Sequence, residues 1–136
     1  YLKDKEVSIQ GIKPWFLDTI HVYPWVDIDD YPTAFASNAL KCKFILTFIE
    51  DNYFGRCKSD LKYIESCAVG RVCLCSDMDT YSLAHPYQKI PHDVTKEQME
   101  YIVKRANDNY DMLIKYQYDI LNKRWLDRKK YQSLFI

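Results

Sequence analysis

The run Cys42-Lys43-Phe44-Ile45-Leu46-Thr47-Phe48-Ile49 decides the fold. Within residues 34–53, Cys42, Ile45, Leu46, Ile49 and Tyr53 fall on one stripe of a helix. Leu40, Phe44 and Phe48 form a second stripe beside it. A helix apolar on both sides belongs at the centre of a core. A buried strand over 43–49 fits the same residues, because a short apolar run does not separate the two forms. Length, Thr33 as a cap and Gly55 as a stop favour one central helix over 34–53.

On the C-terminal side, Ser59 or Asp60 can cap a helix that turns Leu61, Ile64 and Cys67/Ala68 inward and ends at Gly70. Residues 71–75 fit a further helical turn or a short strand. Residues 76–94, with Pro86 and Pro91, read as a long connection holding one helical turn near 80–84. The longest periodic segment follows. Thr95 with Gln98 three residues on is a capping box, and Met99, Val103, Ala106, Tyr110 and Leu113 keep a 4-3-4-3 rhythm. Beyond the polar Gln117 the apolar positions move to Ile114, Tyr118, Leu121 and Trp125. The pairs Glu100/Lys104, Asp111/Lys115 and Asp119/Lys123 mark a wet face. A helix over 95–130 would span roughly 50 Å, against a diameter of roughly 35–40 Å for a compact domain of this size. It therefore bends near Gln117 or protrudes.

On the N-terminal side, Pro14 suits the first turn of a short helix over 15–22, with a strand over 18–23 as the competing form. The stretch from Pro24 to Pro32 carries three aspartates and reads as a loop. Together these elements predict a mainly α fold: an irregular bundle of four to five helices with a long C-terminal helix, a small β element in the N-terminal third being the open variant. At 136 residues the expectation is a single helical domain over 1–136.

Composition narrows the function classes. Net charge is zero, so no global field selects nucleic acid or membrane. No apolar run is long enough to span a bilayer. Three glycines suit a helical protein. Twelve tyrosines and three tryptophans supply interface-type side chains. The first residue is Tyr1, which fits a processed or partial chain.

Candidate chemistry is sparse. Cys42, Cys57, Cys67, Cys73 and Cys75 do not have the paired spacing of a zinc site, and no C-x-x-C occurs. They are candidate disulfide partners in a secreted chain, with one thiol left over; the bland alternative is buried reduced cysteine. No G-x-S-x-G, H-E-x-x-H or phosphate-binding glycine loop is present. His21 and His85 read as structural. Asp27, Asp29 and Asp30 lack the Gly and distal Glu of a calcium loop. No catalytic residue, metal or cofactor is expected.

These residues predict a non-catalytic binding protein, secreted or exported, that contacts a partner or host protein in the manner of a pathogen or parasite factor. An intracellular location is the alternative. Trp25, Tyr31, Tyr118, Trp125 and Tyr131 are the candidate partner-binding residues, since interface hot spots favour aromatics. The alternative function uses the basic patch Lys123, Arg124, Arg128, Lys129 and Lys130 to bind nucleic acid or an anionic surface. Cations at a helix C-terminus also have a plain dipole explanation. A homodimer is one of the oligomeric states left open.

Overall fold

The structure, a computed structural model, describes residues 7–10, 20–23, 27 and 29–132, with side chains for 27 and 29–124. The chain divides into two compact units, residues 1–41 and 42–136. In the first, β1 (Val7–Gln10) and β2 (Ile20–Tyr23) pair in parallel, from Val7 opposite Ile20 to Gln10 opposite Tyr23. The helix expected over 15–22 is therefore a strand at its described end, as the β-branched Ile20 and Val22 allow. α1 (Tyr31–Ala39) starts with Pro32 in its first turn.

The second unit overturns the helical-bundle expectation. β3 (Phe44–Thr47), β4 (Val72–Ser76) and β5 (Lys89–Ile90) form a parallel sheet in the order β3-β4-β5. The fold is mostly helical but is not a pure bundle. The helix expected over 34–53 is two elements: α1 closes at Ala39, and the apolar run becomes β3. An apolar residue on both sides is common to a buried helix and to a strand covered on both faces. Between them stands the polar interruption at Lys41 and Lys43. Residues 71–75, open between turn and strand, belong to β4, whose five residues are all buried.

α2 (Tyr53–Arg56) and α3 (Leu61–Ala68) link β3 to β4. α3 buries Tyr63, Ser66 and Cys67 and packs Ile64 against the core, so the expected inward face holds at Ile64 and Cys67 and fails at Leu61 and Ala68, which are exposed. Gly70 ends it at φ +65°, a left-handed conformation that favours glycine. Two 3-10 turns, Asp79–Tyr81 and Pro86–Gln88, lead from β4 to β5.

α4 (Lys96–Asp108) opens with the expected capping box: Gln98 N donates to Thr95 Oγ1 at 3.2 Å, and Thr95 N donates to Gln98 Oε1 at 2.8 Å. The long helix then divides at Asn109 rather than near Gln117, and α5 runs from Tyr110 to Gln132. Asn109 Nδ2 donates to Arg105 O at 2.8 Å, a side-chain bond that competes with helical continuation. Lys104 pairs with Asp108 at 2.6 Å instead of with Glu100. No described helix is long and apolar enough to cross a membrane.

The core gathers around β4. Cys73 and Cys75 pack with Ile49, Tyr63, Cys67, Met78, Tyr81 and Ala84, flanked by Ile120 and Leu121 of α5. A polar network sits inside it. β5 pairs only with Cys75 and Ser76, so the main chain at Arg71 and Cys73 has no strand beside it on that flank. Gln117 Oε1 accepts from Cys73 N at 3.0 Å, and Gln117 Nε2 donates to Arg71 O at 2.8 Å. Gln88 Nε2 donates to Cys73 O at 2.8 Å and to Gln117 Oε1 at 2.5 Å. Gln88 Oε1 accepts from Tyr63 Oη at 3.1 Å. Two carboxamides stand where a longer β5 would run, which meets the requirement that buried polar groups be paired.

Candidate functional site

In a parallel β-α-β arrangement the loops after the strands share one edge of the sheet, and ligands of open α/β sheets bind there. Here that edge carries a tight turn, residues 48–58. Ile49 N donates to Ser76 Oγ at 2.9 Å, which ties the turn to the end of β4. Thr47 Oγ1 and Tyr81 Oη, 2.9 Å apart and buried, fix the strand below it. Asn52 caps α2 by accepting from Gly55 N at 2.7 Å, and its Nδ2 donates to Glu50 Oε2 at 2.7 Å. Gly55 is buried against the main chain: a Cβ there would overlap the Glu50 carbonyl oxygen and lie 2.8 Å from Ile49 Cγ2. Glycine is required here for close approach.

This locked turn displays aromatic side chains outward. Tyr53 is 87% exposed and Phe54 70%. Phe48, at the end of β3, is exposed beside them in sequence. The Lys58 ammonium lies 5.0 Å from the Phe54 ring centroid, within cation–π reach. Singly exposed apolar residues are ordinary; here three exposed aromatics fall on one short braced turn.

The same edge is charged. The Arg56 guanidinium, 2.8 Å from Asp51, holds that carboxyl below the usual carboxylate range, and His92 acts in the same direction. Lys89 and Asp77 stand 3.5 Å apart. Among the described residues no group of three or more His, Cys, Asp or Glu side chains could hold a metal ion.

The described contact residues singled out in the sequence lie on α1 and α5. Trp25 lies outside the described residues. Tyr31 stacks on Phe35 within α1, ring centroids 5.8 Å apart. Tyr118 is exposed on α5. Trp125 and Tyr131 lie on α5, and their side chains are outside the described set, as are those of Arg128, Lys129 and Lys130. Lys123 is exposed. Arg124 pairs with Asp60 at the start of α3, so it serves the α3–α5 contact.

No disulfide joins Cys42, Cys57, Cys67, Cys73 or Cys75. The last three are buried together. Burial pushes the Cys67 and Cys75 thiols up to about 12 each and Cys73 well above its ordinary value. Thiols held neutral are poor nucleophiles. His85 is a cap: its Nδ1 accepts from Tyr87 N at 3.1 Å, and its ring meets those of Tyr87 and Tyr116 edge-on.

In the helical reading of 34–53, Phe48 and Tyr53 fall on the apolar stripes and Phe54 lies beyond them. Asn52 followed by Gly55 was the available signal for a capped turn. No family model, curated protein or solved structure matches the chain.

Proposed function

We propose that this chain is a non-catalytic binding protein, secreted or exported, that engages a partner protein through the turn over 48–58. One observation carries the reading: Tyr53 and Phe54 are held outward on a turn whose backbone is fixed by Gly55 and the Asn52 cap. Aromatic side chains presented without an ordering cost are what binding hot spots need. Tyr118 on α5 keeps its place as a contact candidate.

The test is site-specific photo-crosslinking. A benzoylphenylalanine at position 54 is expected to give one discrete adduct in the native fluid or host extract. The same probe at Met112, exposed on α5, should not. Equal labelling from both positions would remove the turn as the contact surface.

The basic-patch alternative rests on Lys123, Arg128, Lys129 and Lys130, since Arg124 already has a carboxylate.

A further inference from the structure

At the other end of the sheet, before β5, a row of rings leads to one guanidinium. The Tyr116 hydroxyl donates to Leu83 O at 3.0 Å, and its ring packs edge-on against His85 at 5.1 Å. His85 packs edge-on against Tyr87 at 4.8 Å. The Arg105 Cζ lies 4.7 Å from the Tyr87 ring centroid and 5.3 Å from that of Tyr101. The guanidinium is held between Tyr101 of its own helix α4 and Tyr87 of the 83–88 segment, which Tyr116 of α5 supports through His85 and Leu83.

Its hydrogen bonding is incomplete. Among the described residues the only acceptor is Pro86 O, 3.5 Å from Nη2, at the outer limit of a hydrogen bond. Nε is buried and has no acceptor among the described residues. No carboxylate among the described residues forms an ion pair with Arg105, and Asp108, one turn on, is held by Lys104 at 2.6 Å. A guanidinium carries five N–H donors in a fork that matches carboxylate and phosphate geometry. With Nε turned inward, the Nη1/Nη2 edge is the part left for an external acceptor. Tyr101, 62% exposed, stands beside it as an open ring face.

We propose that Arg105, braced between Tyr87 and Tyr101, is a binding site for an oxyanion of the carboxylate or phosphoryl type, received end-on by the Nη1/Nη2 edge. The Tyr101 ring gives an aromatic or apolar group attached to that oxyanion a surface to stack on. The site is separate from the turn over 48–58 and does not depend on the function proposed for it.

The experiment is an NMR titration of the full chain, reading the Arg105 guanidinium and the Tyr87 and Tyr101 rings. The probes are inorganic phosphate, phenyl phosphate and benzoate, with ionic strength held by chloride. Saturable shifts confined to these groups are expected, and phenyl phosphate should bind more tightly than inorganic phosphate. The ratio of phenyl phosphate to benzoate affinity separates a phosphoryl site from a carboxylate site. Arg105→Lys keeps the charge but loses the fork and should weaken binding at least tenfold. Tyr101→Ala, at an exposed position, should abolish the advantage of phenyl phosphate. Shifts linear in concentration, binding unchanged by Arg105→Lys, or an aromatic advantage that survives Tyr101→Ala would each overturn the proposal. If Arg105→Lys does not fold, the Tyr101→Ala comparison decides alone.

Discussion

Gln117 is bonded to Cys73 as a neighbouring strand would be: its carboxamide oxygen accepts the Cys73 N–H at 3.0 Å while its nitrogen donates to Arg71 O at 2.8 Å. One side chain of α5 thereby extends the sheet at the point where β5 is too short. Replacing it by Leu preserves bulk and takes the Gln117 acceptor from the buried Cys73 N–H and the Gln117 donor from the Arg71 carbonyl. Leaving buried polar groups unpaired costs about 1–3 kcal/mol each. Gln117→Leu should therefore destabilise by about 3 kcal/mol in urea unfolding, whereas Tyr118→Ala next to it, on the exposed face, should stay within about 0.5 kcal/mol.

Gly55→Ala should be costly for a different reason. The added methyl meets main chain at Glu50, which cannot swing aside like a side chain. Overpacking of this kind costs about 1–3 kcal/mol. Faster amide exchange across 49–57 should report where the strain is released.

The buried thiols predict a pH limit. Cys67 and Cys75 have ordinary values near 9 and folded values near 12. The folded state keeps them neutral while the unfolded state ionises them. Their stabilisation is complete below about pH 9 and declines as pH rises from 9 toward 12, by about 1.4 kcal/mol per pH unit for each thiol. Denaturant unfolding at pH 8, 9 and 10 checks the sign. In the native state at pH 8 a thiol reagent should label the exposed Cys57 far faster than Cys67, Cys73 or Cys75.

Arg124 and Asp60 join α5 to the start of α3. The Arg124 side chain is about half exposed, so the pair is screened, and Arg124→Ala should cost roughly 0.2–1 kcal/mol, less at high salt. A loss larger than that would place the residue in packing as well as pairing.

The sequence was most legible where local chemistry decides the backbone. Thr95 and Gln98 specify the start of α4, and Gly70 the end of α3. β3 and β4 were visible only as alternatives, because Phe44-Ile45-Leu46-Thr47 and Val72-Cys73-Leu74-Cys75 are apolar on both faces, which strand and buried helix share. The division at Asn109 involves neither Gly nor Pro. Gln117 looked like a flaw in an apolar stripe, since its partners at Arg71 and Cys73 lie more than forty residues away. Arg105 was unreadable for the same reason: Tyr101 is one helical turn behind it, but Tyr87 and Pro86 come from another element.

Contact through the aromatic turn is tested most directly by competition against the position-54 crosslink. Excess unlabelled wild-type protein should abolish the adduct. The Tyr53→Ala/Phe54→Ala double variant, altered only at exposed positions, should keep its unfolding midpoint and compete at least tenfold less well, equivalent to about 1.4 kcal/mol of binding. A double variant that competes as well as wild type would contradict the assignment of this turn as the binding surface.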